Sequence, residues 1–252
     1  MSFLIKSGSS YKSGLSFKEF NILSIPNVEG WWDANYNVYE ATGDPAETGD
    51  KVSSWIDRTP NARDFAQSNA GNRPSYTTGY INGNAVIVCN SAAGVNNEFL
   101  ENTTLPNSSG TNGATIIAAI DYTGIYPPTN NFESGMWRFG ASSGRYPNSS
   151  SQVSEGFATD SLKTFTPTLA VNEFRIYTVL SKTNLFNVYL NDDLQYNTTS
   201  NTFSMNSTKY IGFSNNDAWD GVFGDIIYFS RYLEDYEWQG CVNILKQKYG
   251  LT

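Results

Sequence analysis

Aromatic side chains in or beside loops rich in asparagine and aspartate are the residues of this sequence best suited to chemistry with a ligand. Tyr126 and Tyr146 each precede a proline, and Trp219 follows closely on Asp217. Sugar recognition uses flat aromatic faces beside amides and carboxylates that form hydrogen bonds. We expect the two tyrosines to be exposed, whereas core packing is the alternative for Trp219 and the favoured interpretation for Trp137. The predicted carbohydrate-binding residues are Tyr126, Tyr146, Trp219 and Asp217.

The loop around Asp217 is also where oxygen ligands for a metal accumulate. Asn215, Asn216, Asp217 and Asp220 lie close together in the chain, and calcium takes roughly six to eight oxygen ligands. Asparagine and aspartate are equally common in turns between strands, and we favour that interpretation. The metal prediction is therefore limited to a calcium candidate at Asp217 and Asp220, and no other cofactor is predicted.

The sequence lacks the residue combinations that usually carry catalysis. It contains no histidine, which removes the commonest general base and the serine and cysteine triads that depend on one. Most glycosidases need two carboxylates flanking the bond that breaks. The pair Glu98 and Glu101 does not fit, because this spacing places the side chains on opposite faces of a strand. We therefore predict that the protein is not an enzyme.

Composition indicates a globular chain with a polar, weakly charged surface. The 252 residues are 39% hydrophobic and 16% charged, with a formal net charge of −8. This acidic balance argues against nucleic acid and anionic membranes as partners. No signal peptide or run of transmembrane length is visible, so we expect synthesis in a host cytoplasm and no membrane insertion. Cys89 and Cys241 are expected to be buried thiols, with a single bridge between them left open.

Short apolar or alternating runs recur between turn residues, which is typical of an antiparallel sandwich. A hairpin is predicted at residues 186–194, with its turn at Asn191 and Asp192. The other predicted strands lie at residues 52–56, 85–89, 114–120, 136–139, 174–180 and 209–213.

One long helix is predicted at the C-terminus, after an apolar strand at residues 222–229. Gly250 should close the helix in the left-handed conformation. Asp225 should face a covered side of the preceding strand, and a buried carboxylate needs a partner, for which Arg231 is the nearest candidate by sequence. The buried stripe of the helix, at helical spacing, comprises Trp238, Cys241, Val242, Leu245 and Tyr249.

This C-terminal segment resembles that of concanavalin A-like (laminin G-like) jelly-roll domains. In that family a Gly-Asp-Ile strand leads to Arg-x-Leu, then to a helix with a glutamate, then to Leu-x-x-Lys-Tyr-Gly. The matching residues are Gly224, Asp225, Ile226, Arg231, Leu233, Glu237, Leu245, Lys248, Tyr249 and Gly250. One position departs from the pattern, because the family usually caps the helix with Ser, Thr or Asp and this chain has Glu234.

Three motifs nearer the N-terminus extend the resemblance over residues 28–252. They are Trp31-Trp-Asp-Ala, Val52-Ser-Ser-Trp-Ile-Asp, and Arg73-Pro-Ser-Tyr followed by Ile81-Asn-Gly. The resemblance implies an all-β, two-sheet antiparallel jelly-roll sandwich with one C-terminal helix. It also implies that a concave sheet face is a common place for glycans to bind in such domains, although the fold does not by itself determine a function.

Residues 1–27 precede this domain and differ from it in composition. Serine, glycine and lysine dominate its first half, yet apolar residues are too numerous for a plain linker. A flexible terminus is the alternative, and we favour an arm that docks on a larger assembly. The residues expected to dock are Phe3, Leu4, Ile5, Lys6, Lys12, Phe17 and Phe20.

Two functions from different classes fit these observations. The first is a non-enzymatic virion surface protein, a bacteriophage head-decoration or tail-fibre adhesin. In it the arm would bind other virion structural proteins and the sandwich would bind a cell-surface glycan. The second is a free carbohydrate-binding module or lectin of a bacterium, secreted or on the cell surface. We favour the first because of the arm, the low charge density and the leaderless start, and we leave homo-oligomerisation open.

Overall fold

The computed structural model describes residues 20–92, 96–107, 113–129, 134–142, 144–214 and 217–252, apart from the side chains of residues 91, 92 and 96. The first ten strands are β1 (Val28–Asp33), β2 (Val38–Tyr39), β3 (Ser54–Trp55), β4 (Phe65–Ala66), β5 (Ser75–Ile81), β6 (Asn84–Cys89), β7 (Ser91–Ala92), β8 (Asn96–Asn97), β9 (Leu100–Asn102) and β10 (Ala114–Tyr122). The next ten are β11 (Trp137–Arg138), β12 (Val153–Glu155), β13 (Lys163–Phe165), β14 (Arg175–Lys182), β15 (Leu185–Leu190), β16 (Asp193–Thr198), β17 (Lys209–Ile211), β18 (Phe213–Ser214), β19 (Asp217–Ala218) and β20 (Gly221–Phe229). The helices are α1 (Asp235–Tyr249) and two short 3-10 turns, Ile22–Ser24 and Ala70–Asn72.

Two antiparallel sheets form the body of the sandwich. The larger sheet has eight strands in the order β16-β15-β14-β10-β20-β6-β5, and β1 joins it by pairing with β20. The smaller has six strands in the order β11-β17-β9-β4-β3-β2. The predicted all-β jelly-roll sandwich with one C-terminal helix is confirmed. The predicted hairpin is confirmed as well, because β15 and β16 meet at Leu190 and Asp193 with Asn191 in the left-handed conformation at φ 55°.

The larger sheet is covered on both faces, which explains why its central strands are apolar at almost every position. Along β10, Ile116, Ala118 and Ile120 point into the core between the two sheets. The alternate residues Ile117 and Ala119 point into a second core, on the other face of the sheet. Helix α1 covers this second core with the predicted stripe, whose five members are all buried. In the described ranges no helix is long and apolar enough to cross a bilayer.

Residues at or next to its own termini cap both ends of helix α1. Glu234 takes the N-cap position, and its backbone N–H donates to the Glu237 carboxylate over 3.0 Å, so the departure from the family's capping residue is accommodated. Gly250 ends the helix at φ 68°, as predicted. Gly224 allows close packing against the last turn, because a Cβ there would lie 2.4 Å from the Tyr249 hydroxyl.

Asp225 is fully buried, and the prediction that Arg231 is its partner is wrong. Its carboxylate accepts hydrogen bonds from Trp31 Nε1 at 2.8 Å, Lys248 Nζ at 2.5 Å and the Tyr249 hydroxyl at 2.5 Å. Arg231 pairs instead with Glu237 at 2.6 Å. Burial raises the pKa of Asp225, and the adjacent Lys248 ammonium opposes that rise. The long Lys248 side chain reaches this strand from the last helical turn, which sequence proximity does not reveal.

The two cysteines are free and lie in different cores. Cys89 belongs to the core between the sheets and Cys241 to the core under helix α1. Burial raises the pKa of each thiol. The larger sheet separates the two side chains, so the buried-thiol interpretation holds and the bridge does not form.

Lys209 is a buried cation held by neutral acceptors. Its ammonium donates to the Leu105 carbonyl at 2.8 Å, the Asn107 side chain at 2.5 Å and the Ser207 carbonyl at 3.3 Å. Burial lowers the pKa of Lys209 to about 8, because these dipoles replace its hydration without supplying a counter-charge.

Replacing Lys248 by methionine tests how far the helix depends on the buried carboxylate. We expect the free energy of unfolding to fall by about 3 kcal/mol, because the change leaves Asp225 charged and without its cation. The matched control is Lys246→Met in the same helical turn, whose pair with the half-exposed Asp192 is worth at most about 1 kcal/mol. If urea unfolding experiments showed equal losses of unfolding free energy for the two variants, Lys248 would not be stabilising the buried charge of Asp225.

The lowered pKa of Lys209 predicts a pH-dependent stability. Between about pH 8 and the ordinary lysine value of about 10.4, the unfolded chain binds a proton that the folded chain does not. The free energy of unfolding should therefore rise with pH in this window, relative to the variant Lys209→Met. Urea unfolding of both proteins at several pH values measures the difference. If the two free energies of unfolding changed with pH in parallel, the pKa of Lys209 would not be lowered in the folded protein.

Candidate carbohydrate-binding site

Three of the four residues predicted from sequence come together at one end of the sandwich. Trp219 Nε1 donates to the backbone carbonyl of Tyr146 over 2.8 Å. The neighbouring Arg145 donates from Nε to Asp217 Oδ2 over 2.9 Å. These two bonds join the segment around Tyr146 to the segment around Trp219, 73 residues later in the chain.

These three residues are buried, so the expectation that Tyr146 is exposed is wrong. Tyr146 is 1% exposed and Trp219 is 0% exposed. The Tyr146 ring packs edge-on against Tyr177 at 5.1 Å, and Trp219 packs on Phe223 at 4.6 Å. Burying a large aromatic ring in the core is more favourable in free energy than exposing it in a loop beside a proline. Their role here is to support the surface rather than to stack on a sugar.

Trp137 lies in the core, as expected, where it helps to hold a buried carboxylate. Glu155 is 1% exposed and accepts hydrogen bonds from Trp137 Nε1 at 2.9 Å, the Tyr177 hydroxyl at 2.7 Å and the Phe157 backbone N–H at 2.7 Å. Burial raises the pKa of Glu155, and these donors oppose the rise.

Asp217, one of the two predicted calcium ligands, is engaged by an arginine. The Asp217 carboxylate is already paired with the Arg145 guanidinium at 2.8 Å, and burial raises its pKa while Arg145 opposes the rise. No group of three or more histidine, cysteine, aspartate or glutamate side chains is placed to hold a metal among the described residues. Calcium requires roughly six oxygen ligands or more, and Asn215 and Asn216 of the same loop lie outside the described residues, so the calcium site stays a prediction.

Tyr126 is the one predicted binding residue that reaches the surface. It is 41% exposed and the preceding Ile125 is 68% exposed. The Tyr122 hydroxyl, at the end of β10, donates to the Ile125 carbonyl over 3.2 Å. Gly124 permits this close turn, because a Cβ there would lie 2.5 Å from the Tyr122 hydroxyl. The loop therefore presents an apolar and an aromatic side chain at a defined place.

Asp121, which the sequence analysis missed, lies beside this loop on β10. Its Oδ2 accepts a hydrogen bond from the hydroxyl of Tyr80 over 3.0 Å, and the Tyr80 ring is 38% exposed. Its Oδ1 is buried and has no hydrogen-bond partner in the structure. Burial raises the pKa of Asp121, the bond from Tyr80 opposes the rise, and the charge of Glu173 adds to it. A carboxylate with a spare acceptor thus lies next to an exposed aromatic ring.

Groups of the same region also affect the pKa of Tyr146. Its hydroxyl is buried without a hydrogen-bond partner in the structure. Burial is the largest cause of the raised pKa of Tyr146, and the groups close enough to act on it are Arg175, Asp121 and Tyr126. Arg175 stands opposite Ile120 in the register between β14 and β10. We define the β10-end site as Tyr80, Asp121, Tyr126 and Arg175, together with the buried hydroxyl of Tyr146.

The predicted docking arm falls mostly outside the described residues. Six of its predicted docking residues lie outside the described ranges, namely Phe3, Leu4, Ile5, Lys6, Lys12 and Phe17. Phe20 is described and packs against helix α1, where a Cβ on Gly240 would lie 2.3 Å from its ring. The following residues Ile22 and Ile25 are buried in the second core. An open cleft of about 250 Å³ lies between this segment and Tyr236 of the helix.

No family model and no curated protein sequence matches this chain. Its architecture is nevertheless similar to known structures. A Trypanosoma rangeli sialidase in complex with 2,3-difluorosialic acid aligns with 91% of this chain at 13% identity and a TM-score of 0.53. The binding domains of botulinum neurotoxin serotypes G and D align with 89% and 78% of it, at 10% identity and TM-scores of 0.59 and 0.55. The alignment covers 34% of the sialidase chain and 54% and 50% of the toxin chains.

These similarities correct the prediction that the protein is not an enzyme. The fold occurs in structures of a sialidase, so the missing histidine and the missing carboxylate pair do not exclude catalysis. Hydrolysis of glycosidic bonds can use tyrosine and carboxylate side chains without histidine. At this level of identity the comparison establishes a shared β-sandwich fold, which also occurs in the botulinum neurotoxin binding domains.

A pair of tyrosine-to-phenylalanine variants tests which hydroxyl is structural. Tyr177→Phe should lower the free energy of unfolding by about 1–3 kcal/mol, because it deprives the buried Glu155 of a donor. Tyr146→Phe should leave the stability within about 0.5 kcal/mol, because its hydroxyl has no partner to lose. Chemical unfolding of both variants measures the difference, and a large loss in Tyr146→Phe would reveal a partner for that hydroxyl.

Proposed function

We propose that this protein binds glycans through the β10-end site and acts as a lectin-like surface protein of a bacteriophage virion, as a head-decoration or tail-fibre adhesin. The observation that carries the proposal is the hydrogen bond that joins the partly exposed Tyr80 to the carboxylate of Asp121, at the strand end from which the loop with the partly exposed Tyr126 leaves. Aromatic faces supply apolar contact with a sugar ring, and a carboxylate accepts hydrogen bonds from its hydroxyl groups.

The rigidity of the site supports this function. Tyr80 is held by its bond to Asp121, and the Tyr126 loop is held by the Tyr122 hydroxyl. A surface that is already ordered loses little conformational entropy when a ligand binds. The similarity to neurotoxin binding domains adds support at the level of the fold only.

The virion setting rests on the N-terminal arm and the low charge density, and its partners would be other virion structural proteins. A free bacterial carbohydrate-binding module or lectin is the second candidate, favoured by the site itself, which needs no particle. The variant that separates them is a deletion of residues 1–19. This deletion spares Phe20, Ile22 and Ile25, which pack in or against the second core.

If the virion setting holds, the deletion should abolish incorporation into particles while the thermal unfolding temperature stays within a few degrees of the full chain. Particles isolated from cells that express either form measure the first quantity, and calorimetry of the purified proteins measures the second. Normal incorporation of the shortened chain would reject the docking arm. Recovery of the full chain only as a free protein would favour the bacterial lectin.

Replacing exposed tyrosines tests the glycan site. We expect Tyr126→Ala and Tyr80→Ala each to weaken binding about tenfold on a glycan array, since each removes one aromatic contact. Tyr236→Ala is the matched control, because Tyr236 is 71% exposed on helix α1 and outside the site. Equal effects of all three variants, or no glycan bound by the unmodified protein, would reject the proposed site.

A further inference from the structure

We propose that the β10-end site selects neutral sugars and discriminates against sugars that carry a carboxylate. This inference rests on the proposed glycan-binding function and adds the chemical class of the ligand. The charges of the site carry it, and the Tyr80 and Tyr126 rings alone would not distinguish the two classes of sugar.

Asp121 supplies the acceptor side of the site. One carboxylate oxygen, Oδ2, accepts from Tyr80, and the other, Oδ1, has no hydrogen-bond partner in the structure. An ionised carboxylate has only acceptor capacity. The partly exposed carboxylate of Asp121 therefore repels a second carboxylate, and this repulsion is strengthened where water is partly excluded.

Arg175, the cation of the site, is already engaged. Its guanidinium forms an ion pair with Glu173 and donates from Nε to the Ala170 carbonyl over 3.3 Å. The Glu173 side chain is 58% exposed, whereas that of Arg175 is 19% exposed. An approaching anion would meet the carboxylates of Glu173 and Asp121 and would have to displace Glu173 to reach the guanidinium. The formal net charge of −8 adds repulsion at longer range.

The charge pattern therefore differs from what the structural similarity to a sialidase would suggest. The sugar in that structure is 2,3-difluorosialic acid, which bears a carboxylate. Recognition of such a sugar calls for an accessible arginine or lysine. Here the arginine is paired with its own glutamate, and the neighbouring aspartate adds a second negative charge.

The test compares the same glycans before and after enzymatic removal of sialic acid, titrated against the full-length protein. We expect the desialylated forms to bind at least about fivefold more tightly, as expected for repulsion by a partly buried like charge. The isosteric variant Asp121→Asn keeps an acceptor for Tyr80 and removes the charge. It should bring the ratio of the two affinities close to one, because it removes the charge that repels the carboxylate of the sialylated form.

The control is Asp192→Asn, which removes one acidic charge from an exposed pair with Lys246 on the helix. It should leave both affinities and their ratio unchanged. If the unmodified protein binds glycans but prefers the sialylated forms, or if Asp121→Asn leaves the ratio unchanged, the inference is overturned and the glycan-binding function stands. If the protein binds neither form, the proposed function falls together with the inference.

Discussion

The fully buried carboxylate of Asp225 is the interaction on which the outer half of this structure depends. It lies on the central strand β20 and joins Trp31 of β1 to Lys248 and Tyr249 of helix α1. Removing a carboxylate from water costs several kcal/mol, and only a set of well-placed donors offsets that cost. Because the donors come from both ends of the chain, the charge can be satisfied only when the helix lies across the sheet and β1 has joined it.

Once the helix is in place, a continuous series of aromatic contacts runs from Asp225 to the β10-end site. Tyr249 donates to Asp225, its ring lies 4.9 Å from that of Phe174, and Phe174 lies 6.4 Å from Tyr80. Tyr80 then donates to Asp121. One carboxylate is therefore saturated with donors and structural, whereas the other is partly exposed and has one buried oxygen without a hydrogen-bond partner in the structure. This difference in hydrogen-bond satisfaction separates a structural acid from one that suits a ligand.

The sandwich explains the position of the proposed binding surface at this end of β10. The core between the sheets covers one face of the strand as far as Tyr122, whereas the second core covers the other face only as far as Ala119. Asp121, which follows Ala119 on that other face, is therefore partly exposed. A rigid strand end positions polar side chains better than a free loop does. The same architecture occurs in a sialidase and in toxin binding domains, so the chemistry must be argued from the side chains at the site.

The sequence by itself determined the features that depend on local periodicity and backbone preference. The strand runs, the turn at Asn191, the apolar stripe of α1 and its end at Gly250 could all be predicted for this reason. Tertiary packing decided the rest: the burial of Tyr146, the partner of Asp225 and the meeting of Tyr80 with Asp121 across 41 residues. These features depend on which distant segments of the chain come into contact. The residue pattern of a single segment does not reveal the free energy of that contact.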